Sequence, residues 1–375
     1  MKRQKIFLLV FAALLAAVQI GFWCSPKAAF SPLEKRVLAD APKFSLSRLI
    51  SGRWMEQAED YLTDHFPGRA ALVGADASLR QAVGLNAAGE IYRGRDGWLI
   101  PAPLSEDTTI LDKNMRAITS FAQQTGLPAV LLAVPSTGAV ETDFLPALHD
   151  SYPDAALLAR VRELAGDGVQ TPDLLSDLTA RDDRSALYYR TDHHWTTAGA
   201  FAGYQAYCVA AGLEPVDAAR FTVETVDGFY GTSYAKSGLW RTPADTLALW
   251  EDPALRAKVT VWDDNKPAPI EQDGLFFRAH LAENDKYPVF LDGNHGRVRI
   301  ETGSSGGRLL VVRDSFAHCL APFLAEHYSQ IDLIDLRYFK KQTVSDYLAE
   351  NPADAVLFCY GLDSLVTDKA LAQLQ

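Results

Sequence analysis

Apolar and polar positions divide the chain into an N-terminal apolar run, a mixed segment and a long region of alternating helices and strands. Residues 6–23 are apolar, interrupted only by Gln19 and Gly21. Residues 128–135 enclose a continuous apolar stretch, which is typical of a strand in a parallel sheet covered on both faces. Helical periodicity predicts helices at residues 54–62, 107–125, 155–165 and 197–211.

The C-terminal part repeats this alternation. Apolar runs predict strands at 308–313, 331–336 and 355–360, with helices between them at 316–328 and 343–350. Strand–helix–strand connections of this length pack into parallel sheets layered with helices. The predicted fold class is therefore α/β, with a parallel sheet in a three-layer arrangement.

The predicted organisation has three parts. Residues 1–29 form a membrane anchor, residues 30–105 an N-terminal extension that packs on the main domain, and residues 106–375 the main α/β domain. Residues 221–300 break the rhythm of the main domain with short β-like runs, turns and aromatics, which predicts a β-rich insertion. Inside the extension, residues 64–69 predict a turn and residues 89–100 a short hairpin.

The apolar run near the N-terminus predicts export. Its 18 residues follow Lys2, Arg3 and Lys5, and at about 1.5 Å per residue they nearly cross a hydrocarbon core of about 30 Å. The positive flank favours the inner side, so residues from about Cys24 onward are expected outside the cytoplasm. A cleaved signal peptide is the alternative. The length of the run and the lack of a clear Ala-x-Ala site favour an uncleaved, single-pass anchor in the cell membrane.

Composition argues against a nucleic-acid partner, and it allows the cysteines to be either free thiols or partly disulfide-bonded. A net charge of −11, without a basic stripe beyond the first residues, argues against binding to nucleic acid. The four cysteines, Cys24, Cys208, Cys319 and Cys359, fit no zinc motif. Buried free thiols are favoured for the last three. A Cys319–Cys359 disulfide stays open outside the cytoplasm.

Ser315 is the candidate nucleophile. It stands where the apolar strand at 308–313 gives way to the predicted helix, and ligands gather at the carboxyl ends of strands in open α/β sheets. Unpaired N–H groups at the start of a helix are expected to stabilise an oxyanion there. The alternative is structural, with Asp314 or Ser315 serving only as a helix N-cap.

A base for this serine is expected in the polar and aromatic cluster at residues 189–195. Asp192 stands two residues before His194, a spacing that lets a carboxylate accept the Nδ1–H of the imidazole and leave Nε2 as the base. Two alternatives stay open: a helix start capped by Thr196 or Thr197, and a metal site formed by Asp192, His193 and His194. Metal binding by adjacent residues is geometrically awkward, so an acid–base role is favoured.

These motifs also carry a resemblance. Thr191-Asp192-His193-His194-Trp195, followed by Arg313-Asp314-Ser315-Phe316, resembles the DHHW protein family, which belongs with the SGNH-hydrolase-like proteins that include periplasmic alginate O-acetylation factors. The resemblance runs from about Phe30 to the C-terminus and takes in further segments: 64–69, 229–234, 293–295 and 322–338.

The resemblance implies an SGNH-hydrolase-like fold with a permuted motif order, because Asp-x-His precedes the serine. It assigns Asp192 as the orienting carboxylate, His194 as the general base and Ser315 as the nucleophile. The alginate proteins usually place Gly and Thr before the serine, whereas Arg313-Asp314 stand here, as in the DHHW branch. The acetylation chemistry therefore follows from the resemblance less directly than the fold does.

Four further residues are candidates for substrate or oxyanion binding. Asn294 would donate to the oxyanion, as an Asn does in SGNH enzymes, or else occupies a turn. Tyr234 and Arg313 would bind an anionic or sugar substrate, or else lie solvated at the surface. Trp195 would stack on a sugar ring, or else pack in the core.

The resemblance implies an extracytoplasmic serine acyl-transfer enzyme, most simply an O-acetyltransferase or acetylesterase acting on a cell-surface or secreted polysaccharide. The expected partners are the polysaccharide, an acyl donor, a membrane-bound acyltransferase and the membrane itself. No cofactor, metal or nucleic acid is expected. A non-catalytic polysaccharide-binding or assembly scaffold and a metallohydrolase stay open as alternatives.

Overall fold

The computed structural model describes residues 2–263, 266 and 268–374. The chain forms two compact units. The N-terminal unit comprises residues up to 89 together with residues 234–241, and the core unit comprises residues 90–233 and those from 242 onward. The domain limits given above stay a prediction.

The N-terminal unit is mainly helical. Its elements are α1 (Lys2–Cys24), β1 (Phe30–Ser31), β2 (Arg36–Val37), α2 (Leu46–Ile50), α3 (Arg53–Asp64), α4 (Arg69–Ala82) and β3 (Ala87–Ala88). Within the described part of the chain, α1 is the one helix long and apolar enough to cross a membrane, a test that a signal sequence also passes. The predicted turn before α4 is present, because the N–H of Arg69 donates to the carbonyl of Phe66 at 3.0 Å and Gly68 takes a φ of 70°.

The core unit carries the remaining strands and helices. Its strands are β4 (Ile91–Arg93), β5 (Leu99–Pro101), β6 (Ala129–Val134), β7 (Thr222–Phe229), β8 (Asp245–Glu251), β9 (Ala257–Trp262), β10 (Ile270–Asp273), β11 (Arg297–Thr302), β12 (Arg308–Arg313), β13 (Gln330–Ile334) and β14 (Ala355–Gly361). Its helices are α5 (Thr109–Thr125), α6 (Thr137–Val140), α7 (Asp154–Ala165), α8 (Leu174–Thr179), α9 (Thr197–Ala211), α10 (Thr232–Ser237, whose last residues belong to the N-terminal unit), α11 (Ala321–Leu324), α12 (Val344–Glu350) and α13 (Leu362–Thr367).

One large mixed sheet organises the core unit. Among the described residues its strand order is β10-β9-β11-β13-β12-β14-β6. Strands β13, β12, β14 and β6 are parallel neighbours, as the apolar runs predict. Strands β11, β9 and β10 continue the sheet with antiparallel pairing. Residues 221–300 therefore extend the main sheet at one edge, while β7 and β8 form a separate antiparallel pair.

Helices cover the sheet because its central strands are buried along their length. Alternate residues of β6, including Leu131 and Ala133, pack with α5, α7, α12 and α13 in one continuous apolar core. Contacts of β6 with α8 and α9 cover its other face. This layering places the carboxyl ends of β6, β12 and β14 at a common edge.

The segment after β12 differs from the predicted helix at 316–328. A single 3₁₀ turn, Ser315–Ala317, is followed by the short helix α11. Pro322 lies in the first turn of α11, where a missing N–H does no harm, but it would interrupt a longer helix that had started at 316. Residues 316–325 are all buried, so a polar face that would mark helical periodicity is missing there.

Candidate active site

Ser315, His194 and Asp192 meet at the carboxyl end of β12. The Nε2 atom of His194 lies 2.7 Å from Oγ of Ser315, and its Nδ1 lies 2.5 Å from Oδ1 of Asp192. Asp192 and His194 are buried. With the carboxylate accepting the Nδ1–H, Nε2 is left with a lone pair that faces the serine hydroxyl. The arrangement can remove a proton from Ser315.

The loop that carries Asp192 and His194 is held by a second carboxylate. Asp245, the first residue of β8, accepts the N–H and the hydroxyl of Thr191 at 2.7 and 2.6 Å, and the N–H of Arg190 at 3.1 Å. Asp192 also accepts the backbone N–H of His194 at 2.9 Å, which closes a tight turn between the two residues. The imidazole is thereby fixed by its own backbone and by a strand more than 50 residues away.

The second oxygen of Asp192 binds the start of α10. Oδ2 accepts the N–H of Thr232 at 2.6 Å, and the preceding residue, Gly231, lies against the same carboxylate. A Cβ at Gly231 would lie 2.1 Å from Cβ of Asp192 and 2.3 Å from its Oδ2, which no side chain tolerates. Only glycine therefore fits beside the carboxylate. The Phe-Tyr-Gly-Thr-Ser-Tyr segment, which forms part of the family resemblance, contains Gly231 and Thr232. The sequence alone did not predict that these residues contact Asp192.

Tyr287 is a site residue that the sequence reasoning missed. Its ring stacks on the His194 imidazole, with centroids 4.3 Å apart and an interplanar angle of 12°. Its hydroxyl donates to the backbone carbonyl of Ser315 at 3.1 Å. Burial raises the pKa of Tyr287 well above its ordinary value, so the phenol stays a donor. Tyr287 thus contacts both the base and the nucleophile.

Asp314 ties the serine turn to the neighbouring strand. Its Oδ1 accepts the N–H of Phe316 at 2.9 Å, and its Oδ2 accepts the N–H of Gly361, at the end of β14, at 2.8 Å. Burial raises the pKa of Asp314 to about 6. The expectation that unpaired N–H groups of a helix stabilise an oxyanion is therefore wrong at Phe316, because that N–H is already occupied and the helix is a single 3₁₀ turn.

The structure places the four other candidates in different surroundings. Trp195 is fully buried and donates its indole N–H to the carbonyl of Phe316 at 3.0 Å, so it packs in the core and exposes no face to a sugar. Arg313 is likewise fully buried, against His318 and 3.5 Å from Asp335, and burial lowers its pKa. In this conformation neither side chain is open to a substrate.

Tyr234 and Asn294 also lie in different surroundings. Tyr234 belongs to the N-terminal unit, where it packs on Trp240 and donates to its carbonyl at 3.2 Å, so the expectation that it lies solvated at the surface is wrong. Asn294 is exposed in the loop before β11, which begins at the same edge of the sheet as the end of β13. Its role as an oxyanion donor stays a prediction.

His193 marks the accessible side of the site. Its ring centroid is 3.9 Å from that of His194, and its Nδ1 lies 2.6 Å from the Thr232 hydroxyl. Together with Phe316 it lines a narrow cleft, whose other walls come from the end of β5, the loop after β6 and the start of α13. The cleft is adjacent to the His194 imidazole, because both His193 and Phe316 contact the His194 ring.

The ligand atoms of Asp192, His193 and His194 lie within 4.8 Å of one another, close enough to bind a metal ion. However, both carboxylate oxygens of Asp192 already accept N–H groups, and both ring nitrogens of His194 face a partner. A metal would have to break this set of hydrogen bonds. The donor set therefore fits a proton relay better than a metal centre.

The cysteines form no disulfide within the described residues. Cys24 is exposed, whereas Cys208, Cys319 and Cys359 are buried. Burial raises the pKa of the Cys319 thiol to about 12, so it is not a nucleophile at neutral pH.

Comparison with known proteins places these observations in a family. Residues 91–279, half of the chain, match the profile of the SGNH hydrolase-like domain of the acetyltransferase AlgX. The match includes Asp192 and His194 and ends before Ser315. The chain is also 28% identical over 178 residues to the probable alginate O-acetylase AlgJ of Pseudomonas aeruginosa, covering 44% of each protein, and 28% identical over 178 residues to AlgJ of Pseudomonas putida. It thus spans less than half the length of these curated relatives.

Solved structures show the same fold. A DHHW family protein from Eubacterium siraeum superposes with a TM-score of 0.64 at 22% identity, over 76% of this chain and 95% of that one. PatB1 of Bacillus cereus, solved with a sulfonyl adduct, superposes with a TM-score of 0.63 at 21% identity, over 76% of this chain and 98% of that one. The predicted SGNH-hydrolase-like fold class is confirmed. The chain belongs to the family of SGNH hydrolase-like domains described for the acetyltransferase AlgX.

Proposed function

We propose that this protein is an extracytoplasmic O-acetyltransferase that carries an acetyl group on Ser315 and passes it to a hydroxyl of a polysaccharide. The observation that carries the proposal is the 2.7 Å approach of His194 Nε2 to Ser315 Oγ, with Asp192 at the opposite nitrogen. The names of the relatives, alginate O-acetylases and an AlgX-type acetyltransferase, support the choice of an acetyl group and a polysaccharide.

In the first step, Oγ of Ser315 attacks the carbonyl carbon of the acyl donor while His194 Nε2 accepts its proton. Asp192 stabilises the imidazolium that forms, since its carboxylate already holds the Nδ1–H. The tetrahedral intermediate then expels the leaving group of the donor, which takes the proton from His194. Ser315 is left as an acetyl ester.

In the second step, His194 accepts a proton from the incoming hydroxyl as that oxygen attacks the acetyl carbon. The ester bond to Ser315 breaks, and its oxygen regains a proton from His194. A sugar hydroxyl as the acceptor gives transfer, whereas water gives hydrolysis. The cleft beside His193 and Phe316 is where the acceptor would approach.

The membrane location is part of the proposal. Helix α1 is retained as a single-pass anchor, so the core unit works outside the cytoplasm beside a membrane-bound acyltransferase that supplies the donor. The apolar composition of α1 and its flanking basic residues support this orientation.

The test is a comparison of two serine variants. Ser315→Ala is expected to abolish hydrolysis of a chromogenic acetyl ester and to abolish labelling by a sulfonyl fluoride, a reagent chosen because the similar Bacillus cereus PatB1 was solved with a sulfonyl adduct. Ser305→Ala, in the exposed loop before β12, is the matched control and is expected to behave as the wild type. Equal activity and labelling in both variants would rule out a mechanism through Ser315. Intact polysaccharide binding without an acyl-enzyme from any donor would instead favour a non-catalytic polysaccharide-binding scaffold.

A metal mechanism predicts a different result. The proximity of Asp192, His193 and His194 is the one observation in its favour. Activity that disappears with a chelator, returns with a divalent metal and survives Ser315→Ala would support a metallohydrolase. Activity unaffected by chelator and lost in Ser315→Ala supports acyl transfer through the serine.

A further inference from the structure

Helix α4 of the N-terminal unit is apolar on two opposite faces. Its inner face packs on residues 238–240 of the same unit: Trp240 donates its indole N–H to the carbonyl of Ala70 at 2.9 Å, and a Cβ at Gly74 would lie 2.8 Å from the Trp240 ring. Ala77, on this face, is only 3% exposed. The inner face is thus fully used by the fold of the unit.

The outer face of α4 is apolar as well, yet it is exposed. Leu72 is 54% exposed and Leu79 is 63% exposed, and Val83, the C-cap residue, is 68% exposed. Spacings of seven and four residues bring these side chains onto one stripe of the helix. The charged pair Asp76 and Arg80, joined at 2.7 Å, borders this stripe on one side. Surface helices of soluble proteins normally present polar residues in this position. An apolar stripe here is therefore expected to lie against another apolar surface.

The neighbouring helices repeat the feature. On α3, Met55 and Leu62 are 59% and 53% exposed and are again seven residues apart. On α2, Leu46 and Ile50 are mostly exposed. We call the exposed apolar side chains of α2, α3 and α4 the outer apolar stripes.

Helices α3 and α4 lie against the C-terminal end of the proposed membrane anchor. In the last turns of α1, the Phe22 ring lies 6.0 Å from the Tyr61 ring of α3 in an edge-on contact. A Cβ at Gly21 would lie 3.1 Å from the Pro67 ring, two residues before α4 starts. The C-terminal end of the span therefore touches the end of α3 and the start of α4, which puts both helices at the level of the lipid headgroups when α1 crosses the bilayer.

We infer that the outer apolar stripes of α2–α4, above all Leu72, Leu79 and Val83, insert into the interface of the bilayer on the side of the core unit. An amphipathic helix in this position buries its apolar face about 5–10 Å into the boundary between headgroups and acyl chains. The N-terminal unit is then a membrane-resting platform rather than a flexible tether. A lipid surface is favoured over a protein partner because the end of α3 and the start of α4 contact the C-terminal end of the span. The inference rests on the proposed retention of α1 as an anchor.

The test uses the full chain in phosphatidylcholine vesicles, with Cys24→Ser to remove the exposed thiol while the three buried cysteines remain. Single cysteines replace Leu72 or Leu79 and carry an environment-sensitive fluorophore. Gln57→Cys, exposed on α3 on the side away from Met55 and Leu62, is the matched control. Labels at 72 and 79 are expected to be quenched by nitroxide lipids and to be about fivefold less accessible to iodide than the label at 57.

Two outcomes would overturn the inference. Equal iodide quenching at 57, 72 and 79 would mean that the stripes face water. Protection from iodide without quenching by nitroxide lipids would mean that a protein, such as a second copy or an acyltransferase, covers them. Flotation of the vesicles reports separately on the anchor, and sulfonyl labelling of Ser315 in the same preparation reports on the proposed chemistry, so each failure is recognisable.

Discussion

Replacing Asp192 with Asn changes the hydrogen-bonding capacity of one buried side chain while keeping its shape. The carboxylate accepts three N–H groups: the backbone and Nδ1 of His194 through Oδ1, and the backbone of Thr232 through Oδ2. An amide offers one oxygen, and its NH₂ group only donates. Either the backbone N–H of Thr232 or the backbone N–H and Nδ1 of His194 must then face the NH₂ group of the amide, which is itself a donor.

The two orientations of the amide have different consequences. If the NH₂ group faces Thr232, a buried N–H loses its acceptor, which costs about 1–3 kcal/mol of stability. If it faces His194, Nδ1 must accept, the proton moves to Nε2, and the base can no longer take the proton of Ser315. The same change in a serine-protease triad lowers kcat about 10⁴-fold. We expect a loss of about 10³–10⁴-fold in esterase activity, together with a fall in Tm of about 2–6 °C.

The assay measures acetyl ester hydrolysis, the rate of sulfonyl labelling and thermal unfolding by circular dichroism. The control is Asp354→Asn at the amino end of β12, where the carboxylate accepts the N–H of Arg308 at 2.7 Å far from the serine turn. This control should keep full activity. An Asp192→Asn variant with native Tm and activity within tenfold of the wild type would refute the assignment of Asp192 as the group that orients the base.

Three further predictions follow from contacts around the triad. Tyr287→Phe keeps the ring stacked on His194 but removes the hydroxyl that donates to the Ser315 carbonyl. The kcat for the acetyl ester should therefore fall about 3–10-fold. An unchanged kcat would contradict a positioning role for Tyr287. Gly231→Ala places a methyl group against Asp192 and should lower kcat at least about 100-fold, with reduced Tm; full activity would show that the site relaxes freely. Because burial raises the pKa of Asp314 from 3.8 to about 6, the folded state binds more protons between these values, and the free energy of unfolding should fall by about 3 kcal/mol as pH rises through this window. Asp314→Asn should remove that fall in chemical denaturation, whereas parallel pH curves for the two proteins would refute the attribution.

The central strands and the pair Asp192–His194 were predictable because their signals are local. A continuous apolar run such as 129–134 specifies a buried strand by composition alone, and the two-residue spacing of Asp192 and His194 allows a tight turn. The parallel order of β13, β12, β14 and β6 agrees with the alternation of strand and helix.

Other features depend on contacts that have no local signal. Tyr287 lies 28 residues before Ser315, in a region of turns, and nothing in its neighbourhood marks it as a partner of His194. The antiparallel strands β9–β11 were interpreted as a separate insertion because the pairing of β11 with β13, and of β9 with β11, is a property of the sheet rather than of their sequence. The prediction of a helix at 316–328 was wrong because a fully buried segment shows no helical periodicity. Pro322 also lies in the first turn of α11, so the helix begins there and not at residue 316.

The proposed mechanism requires a covalent acetyl group at Ser315, and mass spectrometry tests this most directly. The full-length protein is incubated briefly with an activated acetyl ester, quenched in acid and digested, and the peptides are mapped. We expect a mass increase of one acetyl group on the peptide that contains Ser315, and no such increase in the His194→Ala variant. Turnover of the ester without any acetyl group on Ser315, even when the reaction is stopped at the earliest times, would contradict the proposed mechanism.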